Sequence, residues 1–334
     1  MTSPFNPVEF ARALINIDST TGREADAGAW LARALRALGY TVVEQPIDRG
    51  CANVFATMDA PAVVFSTHYD CVPPFFPSRI EDGRLYGRGA CDAKGILAAQ
   101  VAAAERLRAH GERHVGLLFV VGEERGSDGA AAANLTPPGA RFLINGEPTD
   151  NRLGTATRGV LRLRLRATGR AAHSAAPEYG ESAIDKLIDA LVALRGMPLP
   201  SHPEMGSTYY TVGLIEGGVA PNVIPPHASA EVLFRTIGPP EDILRAIQPL
   251  DRFVTSEEVL RVPPVTLHTV PGFPTAVFPF TTDVPFLTRW GAPLLFGPGS
   301  FLVAHTSHEH LEIAELERAI DAYEQLAMAC LHAH

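Results

Sequence analysis

The chain is 334 residues long and poor in sulfur and in large aromatic side chains, with four Cys, five Met and two Trp. Cys51, Cys71, Cys91 and Cys330 are scattered and form no C-x-x-C pair. That argues against a disulfide framework and suits reduced thiols in a cytoplasmic protein. No uninterrupted apolar run reaches about 18 residues, so no membrane span is expected. The opening stretch, MTSPFNPVEF, lacks a basic segment followed by an apolar one, so no secretory signal is expected. Positive charge is in deficit, 28 Lys and Arg against 37 Asp and Glu, for a net charge of -9. This balance offers no electrostatic reason to bind nucleic acid or an anionic membrane. Repeats and low-complexity segments are also missing. What remains is 46% hydrophobic and 19% charged, the composition of a folded globular protein, and its length predicts two domains rather than one.

Apolar residues recur at helical spacing over Pro7–Ile15 and Ala25–Leu38, with Gly39 placed to end the second helix. TVVEQP, NVFATM and AVVFSTH read as short strands, and DAKGILAAQVAAAERLRAHG as a long helix. HVGLLFVVGEE and ARFLINGEP read as strands on either side of a helix at GSDGAAAANL. Strands that are apolar throughout and alternate with helices predict an α/β domain with a mixed, largely parallel sheet covered on both faces. The pattern changes near Gly159. VLRLRLRATG alternates apolar and basic residues, a helix follows at ESAIDKLIDALVALRG, and TYYTVGLIEGG, ASAEVLFRTI, PEDILRAIQPL and EEVLRVPPV complete a ferredoxin-like β-α-β-β-α-β order. After about Thr266 the first pattern returns and ends in a long helix. The expected organisation is therefore a larger α/β domain of residues 1–157 and 266–334, interrupted by an α+β domain of residues 158–265.

Polar residues that are costly to bury stand at the ends of the apolar strands. VVFSTH runs into His68-Tyr69-Asp70, whose first and third side chains share one side of a strand. Asp92 lies in the Gly-rich turn GRGACDAKG just before a helix. Glu123 and Glu124 end one strand, Glu147 ends another, and His305 follows the turn GPG. Each is unremarkable alone: Asp92 also suits a helix N-cap, and a Glu-Glu pair a solvated loop. In an open α/β sheet, however, ligands bind beyond the carboxyl ends of the strands. Two histidines and three carboxylates gathered there suit a pair of zinc-like ions with one carboxylate shared.

These motifs, in this order, resemble the M20 family of metallopeptidases and deacylases, which includes acetylornithine deacetylase, succinyl-diaminopimelate desuccinylase and carboxypeptidase G-type enzymes. The resemblance runs nearly end to end. It is carried by H-x-D at His68–Asp70, G-R-G-x-x-D-x-K-G at Gly87–Gly95, G-E-E at Gly122–Glu124, G-E-P-T at Gly146–Thr149 and G-P-G…A-H-x-x-x-E at Gly297–Glu309. It implies that Asp92 bridges two metal ions, that His68 and Glu147 complete one site, and that Glu124 and His305 complete the other. The ions would be Zn2+, with Co2+ or Mn2+ as substitutes. It further implies that Asp70 orients His68 and that Glu123 is the general base acting on a metal-bridging water. The peptide bond Asp92–Ala93 is expected to be cis. The inserted domain would act as a lid and dimerisation domain. Its His173 would support the oxyanion in the partner subunit of a homodimer, with Asn222, Arg235 and Gly299 contacting substrate and Arg235 gripping an α-carboxylate.

Some positions depart from that pattern. Cys71 and Cys91 flank Asp70 and Asp92 and suit either packing or soft ligation. His308 and His310 are read as rim residues, and Phe75-Phe76 as either pocket lining or loop anchor. The expected reaction is hydrolysis of an N-acyl-L-amino acid, of the acetylornithine deacetylase kind. The alternatives are succinyl-diaminopimelate desuccinylase, a dipeptidase or a carboxypeptidase.

Overall fold

The computed structural model describes residues 5–333, which divide into two compact units. One contains the chain up to Thr155, Leu267–Ala276 and the chain from Thr282 onward; the other contains Ala156–Thr266 and Val277–Thr281. The short segment Val277–Thr281 falls in residues that the sequence pattern assigned to the larger domain.

The first unit is a mixed α/β structure built on a six-stranded sheet. Its strands run, in spatial order, Thr41–Pro46, Ala52–Thr57, Val115–Val120, Val63–His68, Phe142–Asn145 and Ala292–Leu295. The last four are mutually parallel, whereas the first two are joined antiparallel. Every residue of Val63–His68 and of Val115–Val120 is buried, as expected of central strands covered on both faces. On one face, Phe65, Leu117 and Ile144 pack with residues of the helices Ala25–Ala37, Lys94–Ala109 and Ile313–His332. On the other, Val64, Leu118 and Leu143 meet Ala130, Ala133 and Trp290. Each large side chain buried this way contributes roughly 1.5–3 kcal/mol. Tyr323 of the last helix packs against Phe65 and Phe296, with ring centroids 5.2 Å apart in each case. Its hydroxyl donates to the Phe296 carbonyl at 2.6 Å, so the helix fixes the strand end from which the Gly297-Pro298-Gly299 turn departs.

The parallel register brings four strand ends to one edge of this sheet. Beyond that edge lie His68, then Gly122-Glu123-Glu124, then Gly146-Glu147, then the turn leading to His305. A smaller three-stranded sheet of Arg79–Glu81, Arg84–Tyr86 and His310–Glu312 joins the Asp92 turn to the segment after His305; its short strands carry little sequence signal.

The second unit carries a four-stranded antiparallel sheet of Tyr209–Gly217, His227–Thr236, Gly159–Thr168 and Thr255–Val262, in that spatial order. In sequence these strands and the helices Ala183–Arg195 and Pro240–Ile247 follow a β-α-β-β-α-β order. Leu161, Leu163 and Leu165 are buried against the helices. The intervening arginines stay on the wet face, where Arg164 pairs with Glu231 and Arg166 with Glu257.

Candidate metal centre and active site

Each candidate ligand is placed by a local device. The strand ending at Val120 is turned by Gly122, whose φ of +76° is costly for a residue with a Cβ, so Glu123 and Glu124 leave the strand direction. Asp70 secures that turn: its fully buried carboxylate accepts the backbone N–H of Glu123 and of Glu124, each at 3.2 Å. Asp92 precedes the helix Lys94–Ala109 through a cis Asp92–Ala93 peptide bond, as the motif resemblance implied. The ammonium of Lys94, which is buried, donates to the carbonyls of Leu14 and Ile17 at 3.1 and 2.9 Å. Gly299, at φ +82°, sits where an added Cβ would lie 2.6 Å from the sulfur of Cys91.

Asp92 stands between the two histidines. Its Oδ1 lies 3.0 Å from His68 Nε2, and its Oδ2 lies 3.3 Å from His305 Nε2. His305 Nε2 is also 3.0 Å from Glu124 Oε1. Ligand atoms of His68, Asp92 and Glu124 lie within 4.8 Å of one another. Glu147 is buried nearby, and its Oε1 has no hydrogen-bond partner. His68 Nδ1 contacts the Asp70 backbone carbonyl at 3.0 Å, closer than the Asp70 carboxylate at 3.5 Å. His68 thus faces both the Asp70 main chain and its carboxylate, which also serves the Glu123–Glu124 turn.

The electrostatics reflect how closely these carboxylates and imidazoles are crowded. Burial pushes the Glu123 carboxyl well above its ordinary range, and the charge of Glu147 adds to this. Burial likewise raises Glu124, and raises Glu147 strongly. Burial works against ionised Asp92, yet hydrogen bonds from His305 and His68 hold its carboxyl below the usual range. Hydrogen bonds to Asp92 and Glu124 push the His305 imidazole up to about 10. Carboxylates crowded this closely, an orphaned buried oxygen on Glu147 and two imidazoles drawn toward the cationic form fit a site for divalent metal.

Asp283 is a member of this neighbourhood that the sequence pattern did not reveal. It is fully buried; neither of its oxygens has a well-formed hydrogen bond, and Ser127 is only a loose neighbour. Burial pushes its carboxyl up to about 7, with His68 opposing and Asp70 and Glu124 reinforcing the shift. In TTDVPF, an Asp before Val-Pro reads as an ordinary turn residue, and only its apolar flanks hint at burial.

Cys71 and Cys91 are buried packing residues. Cys91 Sγ lies 3.4 Å from the Ser300 carbonyl, and burial pushes the Cys71 thiol up to about 12. His310 contacts the His308 carbonyl through Nδ1 at 2.9 Å, and its ring lies tilted against that of Tyr86 with centroids 5.1 Å apart. Arg88, buried, has its guanidinium 5.1 Å from the Phe76 ring, which makes Phe76 a loop anchor.

The second unit holds the other candidate residues. His173 is exposed, and its Nδ1 accepts the Ala175 N–H at 3.1 Å. His173 also pairs with Val223, next to Asn222, whose carbonyl accepts the Ser174 N–H at 3.0 Å. Arg235 lies on the central strand His227–Thr236 beside Tyr209, in a cleft of about 420 Å³ that Arg162 and Leu233 also line.

The fold and this ligand set define a metallopeptidase-like hydrolase, and comparison with known proteins gives the family. Residues 64–329 match the model of Peptidase family M20/M25/M40, and the chain belongs to that family. It is 39% identical to a probable carboxypeptidase of Aspergillus terreus, an alignment spanning 98% of this chain and 87% of that protein. Among solved structures it resembles a tripeptidase from Staphylococcus aureus with a TM-score of 0.83 at 21% identity, covering 99% of this chain and 100% of the other. It also resembles a Bacillus subtilis protein described as a dinuclear metal binding peptidase from the M20 family. The TM-score there is 0.71 at 15% identity, with 98% of each chain covered. Among the described residues, no helix is long and apolar enough to cross a membrane.

Proposed function

We propose that the protein is a cytoplasmic dizinc hydrolase that cleaves the amide bond next to a free α-carboxylate, acting on short peptides. The observation that carries this reading is Asp92, whose two oxygens address His68 and His305 separately. Two Zn2+ ions, replaceable by Co2+ or Mn2+, would be held by His68, Asp92 and Glu147 and by His305, Asp92 and Glu124. When bound, such ions lower the pKa of water toward ~7 and polarise the scissile carbonyl. Glu123 takes the proton from the attacking water and returns it to the leaving amine nitrogen. Burial has already raised its proton affinity toward that task. Arg235 receives the α-carboxylate as a planar fork, Asn222 and the Gly299 turn contact substrate, and His173 of a second copy donates to the developing oxyanion in a homodimer formed through the inserted unit.

The names of the curated relatives support the peptide substrate over acetylornithine, since those at 35–39% identity include several probable carboxypeptidases. The test is release of free amino acids by the zinc- or cobalt-loaded protein from dipeptides, tripeptides and N-acetyl amino acids, beside Glu123→Ala. Peptides are expected to be cleaved, with activity falling about 10²–10⁴-fold in the variant. Preference for acetylornithine would restore the deacetylase reading. No turnover with two ions bound would overturn the reaction itself.

A further inference from the structure

We propose that Glu309 is the positioning residue of the shared carboxylate Asp92, and through it of both halves of the metal centre. The inference rests on the dinuclear reading above. Glu309 lies four residues beyond His305 and just before the strand His310–Glu312, whose pairing with Arg84–Tyr86 brings it beside the Asp92 turn. Its side chain is fully buried. Oε1 accepts three backbone N–H groups, from Gly89, Cys91 and Asp92, at 3.0, 3.1 and 3.1 Å. Oε2 accepts from Arg88 Nη1 at 2.6 Å. Arg88 is itself held by the Pro74 carbonyl at 3.2 Å. The Glu309 carbonyl accepts the Gly87 N–H at 3.3 Å.

Converging amides of this kind form a concavity for an anion, and here the chain supplies its own. The consequence concerns Asp92 directly. Its amide is gripped by Glu309, while its carboxylate points to His68 and His305. One side chain thus ties the turn that carries Asp92 to the loop that carries His305. An ion pair that only fastened the core would not need to contact the main chain of the ligand.

The test uses the full chain stripped with a chelator and titrated with Co2+, following visible absorption and competition with a chromophoric chelator. In Glu309→Gln an NH2 group faces either the Arg88 guanidinium or the three amides. Apparent affinity for both ions is expected to fall about 10- to 100-fold, with altered cobalt bands, whereas His305→Ala affects mainly one ion. Glu309→Asp keeps the charge but shortens the reach, and is expected to lose about tenfold; it serves if the Gln variant does not fold. Wild-type affinity and spectrum in the folded variants, even with a lower melting temperature, would overturn the proposal. If the unsubstituted protein binds no Co2+, the dinuclear reading fails first and takes this one with it. If it binds two ions and the variants match it, only the role of Glu309 fails.

Discussion

Replacing Asp70 by Asn separates catalytic geometry from fold stability. Asp70 is fully buried, and each of its carboxylate oxygens accepts one amide, from Glu123 and from Glu124, at 3.2 Å. Asn keeps the shape but turns one acceptor into a donor, so one of these amides loses its partner inside the protein. A hydrogen bond to a charged acceptor contributes about 1.5–3 kcal/mol. At about 1.4 kcal/mol per decade, its loss expressed at Glu123 corresponds to roughly 10- to 100-fold in kcat/KM. The assay is kcat/KM on a cleaved peptide, with metal content by mass spectrometry and a melting curve on the same samples. The expected result is a fall in kcat at full metal content, because the turn carrying the general base relaxes. If kcat/KM stays within about threefold of the parent while the melting temperature drops, Asp70 is a strand-end brace and its link to Glu123 is refuted.

The metal-free protein should respond to pH in a set direction. His305 is pushed up to about 10 by Asp92 and Glu124, and burial raises Glu123, Glu124 and Glu147. Folded-state values above the unfolded ones favour the folded state at low pH. The His305 contribution is complete below about 6.5 and lost as pH rises through its folded value. The melting temperature of chelated protein is therefore expected to fall between about pH 6.5 and 10, while metal-loaded protein, whose ligands must be deprotonated, resists the fall. A flat curve for the chelated protein would contradict this. Lys94→Met removes the donor of the Ile17 carbonyl, whereas the Leu14 carbonyl keeps the Ile17 N–H at 3.2 Å, and should cost about 1–3 kcal/mol, seen as a lower urea midpoint with an unchanged slope.

Much of the fold was legible because its signals are local. The apolar runs at Val63–His68 and Val115–Val120, the Ala-rich helix from Lys94 and the alternation at Gly159–Thr168 each reflect a burial pattern that periodicity reports directly. The candidate ligands were legible as polar residues where polar residues are expensive. Asp283 and the partners of Glu309 were not, because their meaning lies in contacts between distant segments. Asp283 is separated from the strand ends it joins by the whole inserted unit, and Glu309 acts on amides, which every sequence has. The Asp70 side chain was expected to aim His68; its carboxylate lies 3.5 Å from His68 Nδ1, and the Asp70 main-chain carbonyl, a partner that side-chain spacing does not reveal, lies at 3.0 Å.

The order of strands in the sheet has a consequence for biosynthesis. The strand Ala292–Leu295 closes the parallel edge, yet it follows the second unit in sequence, as do His305 and the final helix. Units generally fold as their segments emerge during synthesis. A growing chain can therefore complete the inserted unit while the larger one still lacks its outer strand and a histidine. A chain that stops before Ala292 lacks both that strand and His305, which the proposed metal centre requires.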